Sequence, residues 1–259
     1  MTQKIGIAGT GALGRIVIKA LQAGIPGYQL TAISDLAPPH GLDVPAVDFK
    51  TLARDCDLII ECLPAKAVAS LAAEVFTYKK DMIVISSAAL LIDPSILDQH
   101  SRSSSRIIIP SGAIIGLDGV QALAQSGIKS ARIASTKHPR GYAGAPFMID
   151  QKIDLDKITA KQRLFSGNAL EAAKAFPANV NVAATLSFAG IGPMKTEVEI
   201  WADPQAPSNR HEIVVEGEFS TLRASVENTP DPANPKSSML AGHSIVSVLK
   251  GLNAPLAVF

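Results

Sequence analysis

The sequence predicts an α/β protein in two parts. A first domain is built on a parallel sheet wrapped by helices, and a second, α+β domain carries a mainly antiparallel sheet. Three features support this. Short β-branched runs alternate with helical stretches as far as Pro110, the pattern of β–α–β units. The first run closes on a glycine-rich turn that opens a helix. Beyond Pro110 the β-rich segments alternate apolar with polar residues, the period of antiparallel strands with one covered face. A chain of 259 residues suffices for two well-buried cores. The expected division is 1–110 and 111–236, with the last helix, within 237–259, packing back on the first domain.

In chain order, "KIGIAG" is the first strand. The helix after it, Ala12 to Ala23, repeats Leu13, Ile16, Val17, Ala20 and Leu21 at helical spacing and stops at Gly24. "QLTAISD" is a second strand followed by a Pro-Pro turn. "CDLIIECL" and "DMIVISSA" are buried strands flanking the helix of "AKAVASLAAEVF", and "RSSSRIIIP" gives a polar loop and a last strand. In the second half, "EVEIWAD", "HEIVVEGEF" and "LRASVEN" are the antiparallel strands, with a tight connection at Ser220-Thr221. One helix starts at Asn168 with Glu171 completing a capping box. Another covers about Val180 to Phe188, and the last, Ser237 to Lys250, is stopped by Gly251.

Hydrophobic residues at 47% and charged residues at 18% are the balance of a soluble globular protein. A net charge of +1 gives no footprint for nucleic acid or an anionic membrane. The longest apolar run, "MIVISSAALLI", is too short and too rich in serine to span a bilayer. The N-terminus superficially resembles a signal peptide, but its glycines belong to the turn described next. Two cysteines, Cys56 and Cys62, form neither a disulfide framework nor a metal cluster, so a reducing, cytoplasmic compartment is expected.

"GIAGTGALGR" holds Gly9-x-Gly11-x-x-Gly14 between a strand and a helix. Gly9 permits the tight turn, Gly11 lets backbone amides approach a pyrophosphate, and Gly14 lets helix and strand lie close. The helix N-terminus then offers amides and a positive dipole end to the phosphates. Asp35 ends the second strand, where a carboxylate accepts hydrogen bonds from the adenosine ribose. These features define a Rossmann-type domain with Gly9, Gly11, Ala12, Leu13, Gly14, Asp35 and Leu63 as candidate cofactor contacts. Asp35 repels a 2′-phosphate, so NAD is the expected cofactor and NADP the alternative. The bland reading is a glycine-rich turn that binds nothing.

Three stretches carry more than folding requires. "IPSGAIIGLDGV" puts a Ser-Gly turn at the carboxyl edge of the parallel sheet, where doubly wound proteins bind ligands; it reads otherwise as a plain crossover. "FPANVNVAATLSFAGIG" opens an apolar helix with Asn179, an N-cap by position, and with Asn181, one position too deep to cap. "SNRHEIVVEGEF" places His211 at the lip of a strand, as a base or as an ordinary strand-end residue.

With "GTGALG", "ADPQAPSNRHEIVVEGEF" and "VENTPDPANPKSSML", these stretches resemble the L-aspartate dehydrogenase family along nearly the whole chain. The resemblance implies NAD- or NADP-dependent oxidation of aspartate to iminoaspartate, nucleotide contacts at Ala113 and Asn181, and a catalytic histidine at His211. It also implies a role in NAD biosynthesis or in aspartate breakdown to oxaloacetate. In one place the chain departs from the family. Where the family has lysine and two prolines, this sequence reads "STKHPRGYAG", keeping Lys137 but replacing the first proline with His138.

The chemistry bears on this independently. The substrate amine must lose a proton before its Cα gives up a hydride, and histidine titrates near neutrality when unperturbed. Of five histidines, His40 sits in a Pro-Pro turn, His100 in a polar loop and His243 in the last helix, which leaves His138 and His211. A dicarboxylate needs cations and hydrogen bonds, for which Lys137, Lys236, Ser111 and Asn234 are the candidates, with Arg140 behind them. An acyl-enzyme semialdehyde or aldehyde dehydrogenase is argued against, because no cysteine follows Cys62 to supply a thiolate in the second domain. A dehydrogenase of another small acid and a non-catalytic nicotinamide sensor remain as alternatives. No metal, nucleic acid or membrane partner is expected, and the second sheet is expected to pair subunits into a homodimer or homotetramer.

Overall fold

The computed structural model describes residues 2–231 and 234–256, and of 230, 231 and 234–237 the backbone alone. Two compact units emerge, 1–112 with 239–259, and 113–238.

The first unit runs β1 (Gln3–Ala8), α1 (Ala12–Gln22), β2 (Tyr28–Ser34), α2 (Phe49–Asp55), β3 (Leu58–Glu61), α3 (Ala65–Thr77), β4 (Asp81–Val84), α4 (Ala89–Ile92), α5 (Ser95–His100) and β5 (Ile107–Ile108). Its strands form one parallel sheet in the order β2-β1-β3-β4-β5. Alternate residues feed opposite faces. Ile5, Ile7, Ile60 and Ile83 join Val17, Ile18 and Leu21 of α1 in one cluster. Ala8, Ile59, Met82 and Val84 join Leu52 of α2 and Leu71, Val75 and Phe76 of α3 in the other. Burial on both faces is why these strands read as unbroken apolar runs. The strand order turns around between β1 and β3, the switch point at whose carboxyl side doubly wound sheets bind ligands.

Several local expectations needed correction. The sequence reading had no helix at α2, which starts where Asp48 accepts the N–H of Thr51 (2.7 Å). His100 ends α5 instead of lying in a loop; its Nε2 pairs with the Ser105 carbonyl (2.9 Å) and its ring packs on Phe76.

The second unit runs α6 (Leu117–Ser126), β6 (Ile128–Lys137), α7 (Pro146–Asp150), β7 (Gln162–Asn168), α8 (Ala169–Ala175), α9 (Asn181–Ala189), β8 (Thr196–Ala202), β9 (Asn209–Gly217), β10 (Thr221–Asn228), and a ribbon of β11 (Pro230–Asp231) and β12 (Asn234–Ser238). Its sheet has the order β10-β9-β6-β8-β7 and is antiparallel except for the parallel pair β6–β8. The central strand, β6, was not foreseen. Its outward Arg132 pairs with Glu199 (3.2 Å), which Arg163 and the Trp201 indole N–H also reach, so one face is charged while the other is buried. The β9–β10 connection is Glu218–Ser220, and Thr221 already belongs to β10. The capping box at α8 forms, with Asn168 and Glu171 exchanging 2.9 Å hydrogen bonds.

The last helix, α10 (Met239–Leu252), belongs to the first unit, where Ile245 and Leu249 enter the core and Gly242 lies against Ile16 of α1. It starts at Met239 and passes through Gly251, so that glycine is not its stop.

Candidate active site

In the first unit the glycine turn leaves β1 at the switch point. Gly9 has φ of 91°, and a Cβ there would collide with the Cys62 carbonyl. A Cβ at Gly14 would strike the Gly9 carbonyl oxygen, whereas one at Gly11 would meet nothing within 4 Å. Gly11 is the N-cap of α1 and contributes no side-chain cap, so the first amides of the helix, at Ala12, Leu13 and Gly14, face an open approach. This is what a pyrophosphate requires. Asp35 follows β2. Its Oδ2 accepts both the N–H (2.6 Å) and the hydroxyl (2.7 Å) of Thr10, and its Oδ1 accepts the Ala37 N–H (2.9 Å). Burial pushes this carboxyl up, but the bonds from Ala37 and Thr10 outweigh it and hold it below the usual carboxylate range.

Leu63 is committed internally. Its N–H donates to Glu61 Oε1 (2.5 Å) and its carbonyl accepts the Ser86 hydroxyl (2.7 Å), leaving only its side chain for a cofactor. Glu61, at the end of β3, is fully buried and also accepts the Ser86 N–H (2.9 Å). Burial outweighs these bonds and raises its carboxyl to about 7. Burial also lifts the Cys62 thiol well above its ordinary value, with Glu61 adding to the effect, which disqualifies it as a nucleophile. Ser111 is half-buried in the loop after β5; next to it the Gly112 N–H donates to Ser244 Oγ of α10 (3.1 Å).

In the second unit His211 lies inside β9 instead of at its lip, directly opposite Ser135 of β6 and Val226 of β10. It is 4% exposed, and its Nδ1 lies 2.8 Å from Ser135 Oγ. Lys137, two residues beyond Ser135 on the same side of β6, is 8% exposed and has no carboxylate partner among the described residues. Burial lowers its ammonium to about 8. Burial first, and the Lys137 charge second, depress the His211 imidazole to about 3, so it is neutral at ordinary pH instead of titrating near 7 as the sequence reading assumed.

The turn after β6 frames this pair. His138 has φ −57° and ψ 139°, angles a proline adopts, so the substitution leaves the turn intact. The His138 Nδ1 accepts the Arg140 N–H (3.3 Å), and both side chains are exposed. Gly141 lies against the Lys137 methylenes, and its carbonyl accepts from Asn179 Nδ2 (3.0 Å). Asn179 is therefore not a helix cap; Val180 occupies that position, with Asn181 the first residue of α9. The buried Tyr142 hydroxyl donates to the Trp201 carbonyl (3.0 Å), and its ring packs edge-on against Phe176. Ala113, also buried, offers its carbonyl to Asn228 Nδ2 (3.1 Å). The side chains of Asn234 and Lys236, on β12, lie outside the described residues.

Sequence reasoning missed Thr10, Glu61, Ser86 and Ser135. Only Thr10, inside the glycine motif, carried a local signal; the others are defined by pairing across strands.

A glycine turn at the switch point of a parallel sheet, with a buried histidine and lysine on a separate α+β sheet, defines a nicotinamide-dependent oxidoreductase. Comparison with known proteins agrees. The family model for the aspartate dehydrogenase C-terminal region matches residues 118–252, and a model described as NADP oxidoreductase, coenzyme F420-dependent, matches 4–90. The chain is 41% identical to an L-aspartate dehydrogenase of Methanococcoides burtonii over 98% of each chain. It is 37% identical to L-aspartate dehydrogenase 3 of Bordetella bronchiseptica, over 98% of this chain and 96% of the relative. The crystal structure of an aspartate dehydrogenase from Thermotoga maritima superposes over all of both chains with a TM-score of 0.78 at 25% identity. The chain belongs to the L-aspartate dehydrogenase family.

Proposed function

We propose that this protein oxidises L-aspartate to iminoaspartate with NAD or NADP, the imine then hydrolysing to oxaloacetate and ammonia. The observation that carries the reading is Lys137, a buried ammonium without an anionic partner among the described residues, on the same sheet face as a buried neutral imidazole. A carboxylate of the substrate supplies the missing partner. The nicotinamide, when bound, accepts the hydride from Cα. The glycine turn and the open end of α1 would hold its pyrophosphate, and Asp35 its adenosine ribose.

His211 is neutral before substrate arrives, so one of its ring nitrogens carries a lone pair able to take the proton that the substrate ammonium must lose. Burial is the larger cause of the depressed imidazole and the Lys137 charge the smaller; pairing of Lys137 with a carboxylate cancels the second and so strengthens the base part of the way. Lys137 must stay protonated to hold that carboxylate, so KM for aspartate rises above about pH 8. Asp35, an anion, favours NAD over NADP by repelling a 2′-phosphate. Ala113, Asn181 and Ser111 are further proposed contacts, as are Asn234 and Lys236, whose side chains lie outside the described residues.

The deciding experiment monitors NADH and NADPH formation over a panel of amino acids and hydroxy acids, with wild type and His211→Ala. Turnover of aspartate by wild type, its absence in the variant, and unchanged NADH binding support the assignment. Turnover of another small acid with no response to aspartate refutes the substrate, and an active His211→Ala refutes the base.

Among the described residues no helix is long and apolar enough to cross a membrane, and the free Cys56 and Cys62 suit the reducing cytoplasm we propose as its location. We also propose a homodimer or homotetramer. The outer face of the second sheet supports this, mixing Trp201, Arg132, Lys161, Glu199 and Glu212 in a way that can complement itself across a two-fold axis.

A further inference from the structure

We infer that Ser135 is a positioning residue for His211: its hydroxyl oxygen accepts the Nδ1–H of the ring, so that Nε2 meets the substrate as a lone pair. The inference rests on the reading of His211 as the base. The contact is built into the sheet. Ser135 and His211 face each other across the antiparallel β6–β9 pair, both side chains are buried at 4% exposure, and Oγ lies 2.8 Å from Nδ1. The backbone beneath is restrained, because the Tyr142 hydroxyl donates to the Trp201 carbonyl on β8, which lies beside β6 in parallel register.

A neutral imidazole carries one proton, and the partner of one nitrogen decides which. A serine hydroxyl either donates or accepts. If Ser135 donated to Nδ1, Nε2 would hold the hydrogen and could not act as a base. With the proton on Nδ1 and Oγ accepting, Nε2 is a free lone pair. When Nε2 then takes a proton from the substrate ammonium, the Nδ1–H···Oγ bond becomes charge-assisted and steadies the cation in its buried setting. The orienting group is neutral, and no carboxylate is paired with His211 among the described residues. A carboxylate there would favour the imidazolium far more strongly. A hydroxyl orients the ring and still lets the proton leave.

The test compares Ser135→Ala, Ser135→Thr and His211→Ala by steady-state kinetics and NADH titration, together with the imidazole ¹⁵N spectrum of histidine-labelled wild type. Expected for Ser135→Ala is a kcat lower by about 100-fold, the small end of what a positioned acid–base group contributes. KM for aspartate and Kd for NADH stay near wild type, and Ser135→Thr, which keeps the hydroxyl, recovers most of kcat. In wild type the His211 ring shows the Nδ1–H tautomer. Full kcat in Ser135→Ala, or equal losses in kcat, KM and NADH affinity, overturns the role. So does an Nε2–H tautomer in wild type, a result that decides the matter even if the variants fail to fold. An active His211→Ala instead removes the underlying reading, whereas an inactive His211→Ala beside a fully active Ser135→Ala removes this inference alone.

Discussion

Burial acts on both units, on an acid in one and on bases in the other. In the first unit Glu61 is rimmed by backbone amides from Leu63 and Ser86, and desolvation still raises it to about 7. In the second, desolvation lowers Lys137 to about 8 and His211 to about 3. The surroundings differ in kind. The polar groups beside the glycine turn have partners within the unit: Asp35 binds Thr10 and Ala37, and Glu61 ties the exits of β3 and β4 together. Lys137 has no anionic partner among the described residues. The first site is a recess whose polar groups are already paired within the unit, as suits the cofactor we propose for it. The second carries a charge uncompensated among the described residues, which the carboxylate of the proposed substrate would relieve.

The sharpest way to break this contrast is at the glycine turn of the first unit. Gly14→Ala sets a Cβ against the Gly9 carbonyl oxygen, a clash between main chains that no rotamer change relieves. NADH binding is expected to weaken beyond detection in a fluorescence titration, and the urea midpoint to fall by the equivalent of about 3 kcal/mol. Retention of near-normal NADH affinity would show that the turn is not where the dinucleotide sits.

Lys137→Met tests the unfinished site. kcat/KM for aspartate is expected to drop by about 100-fold or more, through loss of a charged hydrogen bond and the carboxylate anchor. Stability moves the other way. Lowering the ammonium from 10.5 to about 8 corresponds to about 3 kcal/mol of desolvation cost, and an apolar side chain of similar length recovers part of it. Urea denaturation that shows a less stable Lys137→Met would mean that Lys137 already has a stabilising anionic partner.

The pH dependence separates the units by sign. Glu61 has a folded value raised above its ordinary 4.5, so its contribution is fully present below pH 4.5 and is lost as pH rises through about 7. His211 is depressed, so its contribution is present above pH 6.5 and is lost as pH falls toward 3. Glu61→Gln, neutral throughout, should therefore gain on wild type between pH 5 and pH 8, by up to about 3 kcal/mol. Denaturation at the two pH values measures the difference. A constant gap would mean that Glu61 does not titrate in this window.

The first unit was the more legible because its signals are local. Strand, glycine turn and helix are contiguous, and unbroken apolar runs mark strands covered on both faces. α2 escaped because seven residues give too little periodicity. In the second unit the central strand "IKSARIASTK" was missed, since its outward Arg132 is satisfied by Glu199, a residue distant in sequence. Elimination among few histidines left His138 and His211, and the family resemblance chose His211, but Ser135, 76 residues away, becomes its neighbour only through strand register. Asn179 shows the same limit: its position suggested a helix cap, and the fold gave its side chain another partner.

That partner gives the smallest effect and the finest comparison. Asn179 Nδ2 holds the Gly141 carbonyl, and Gly141 lies against the Lys137 methylenes, so Asn179 bears on the proposed anion site at one remove. Asn179→Ala removes one neutral hydrogen bond, worth about 1 kcal/mol of stability. Looser packing of the turn on Lys137 should raise KM for aspartate about three-fold, the equivalent of under 1 kcal/mol, with kcat and NADH affinity unchanged. Were Asn179 acting as a cap, the loss would appear as faster amide exchange in the first turn of α9, with KM unmoved. Measuring both on the same variant decides whether the asparagine serves the helix or the lysine, and the 3.0 Å bond to Gly141 favours the lysine.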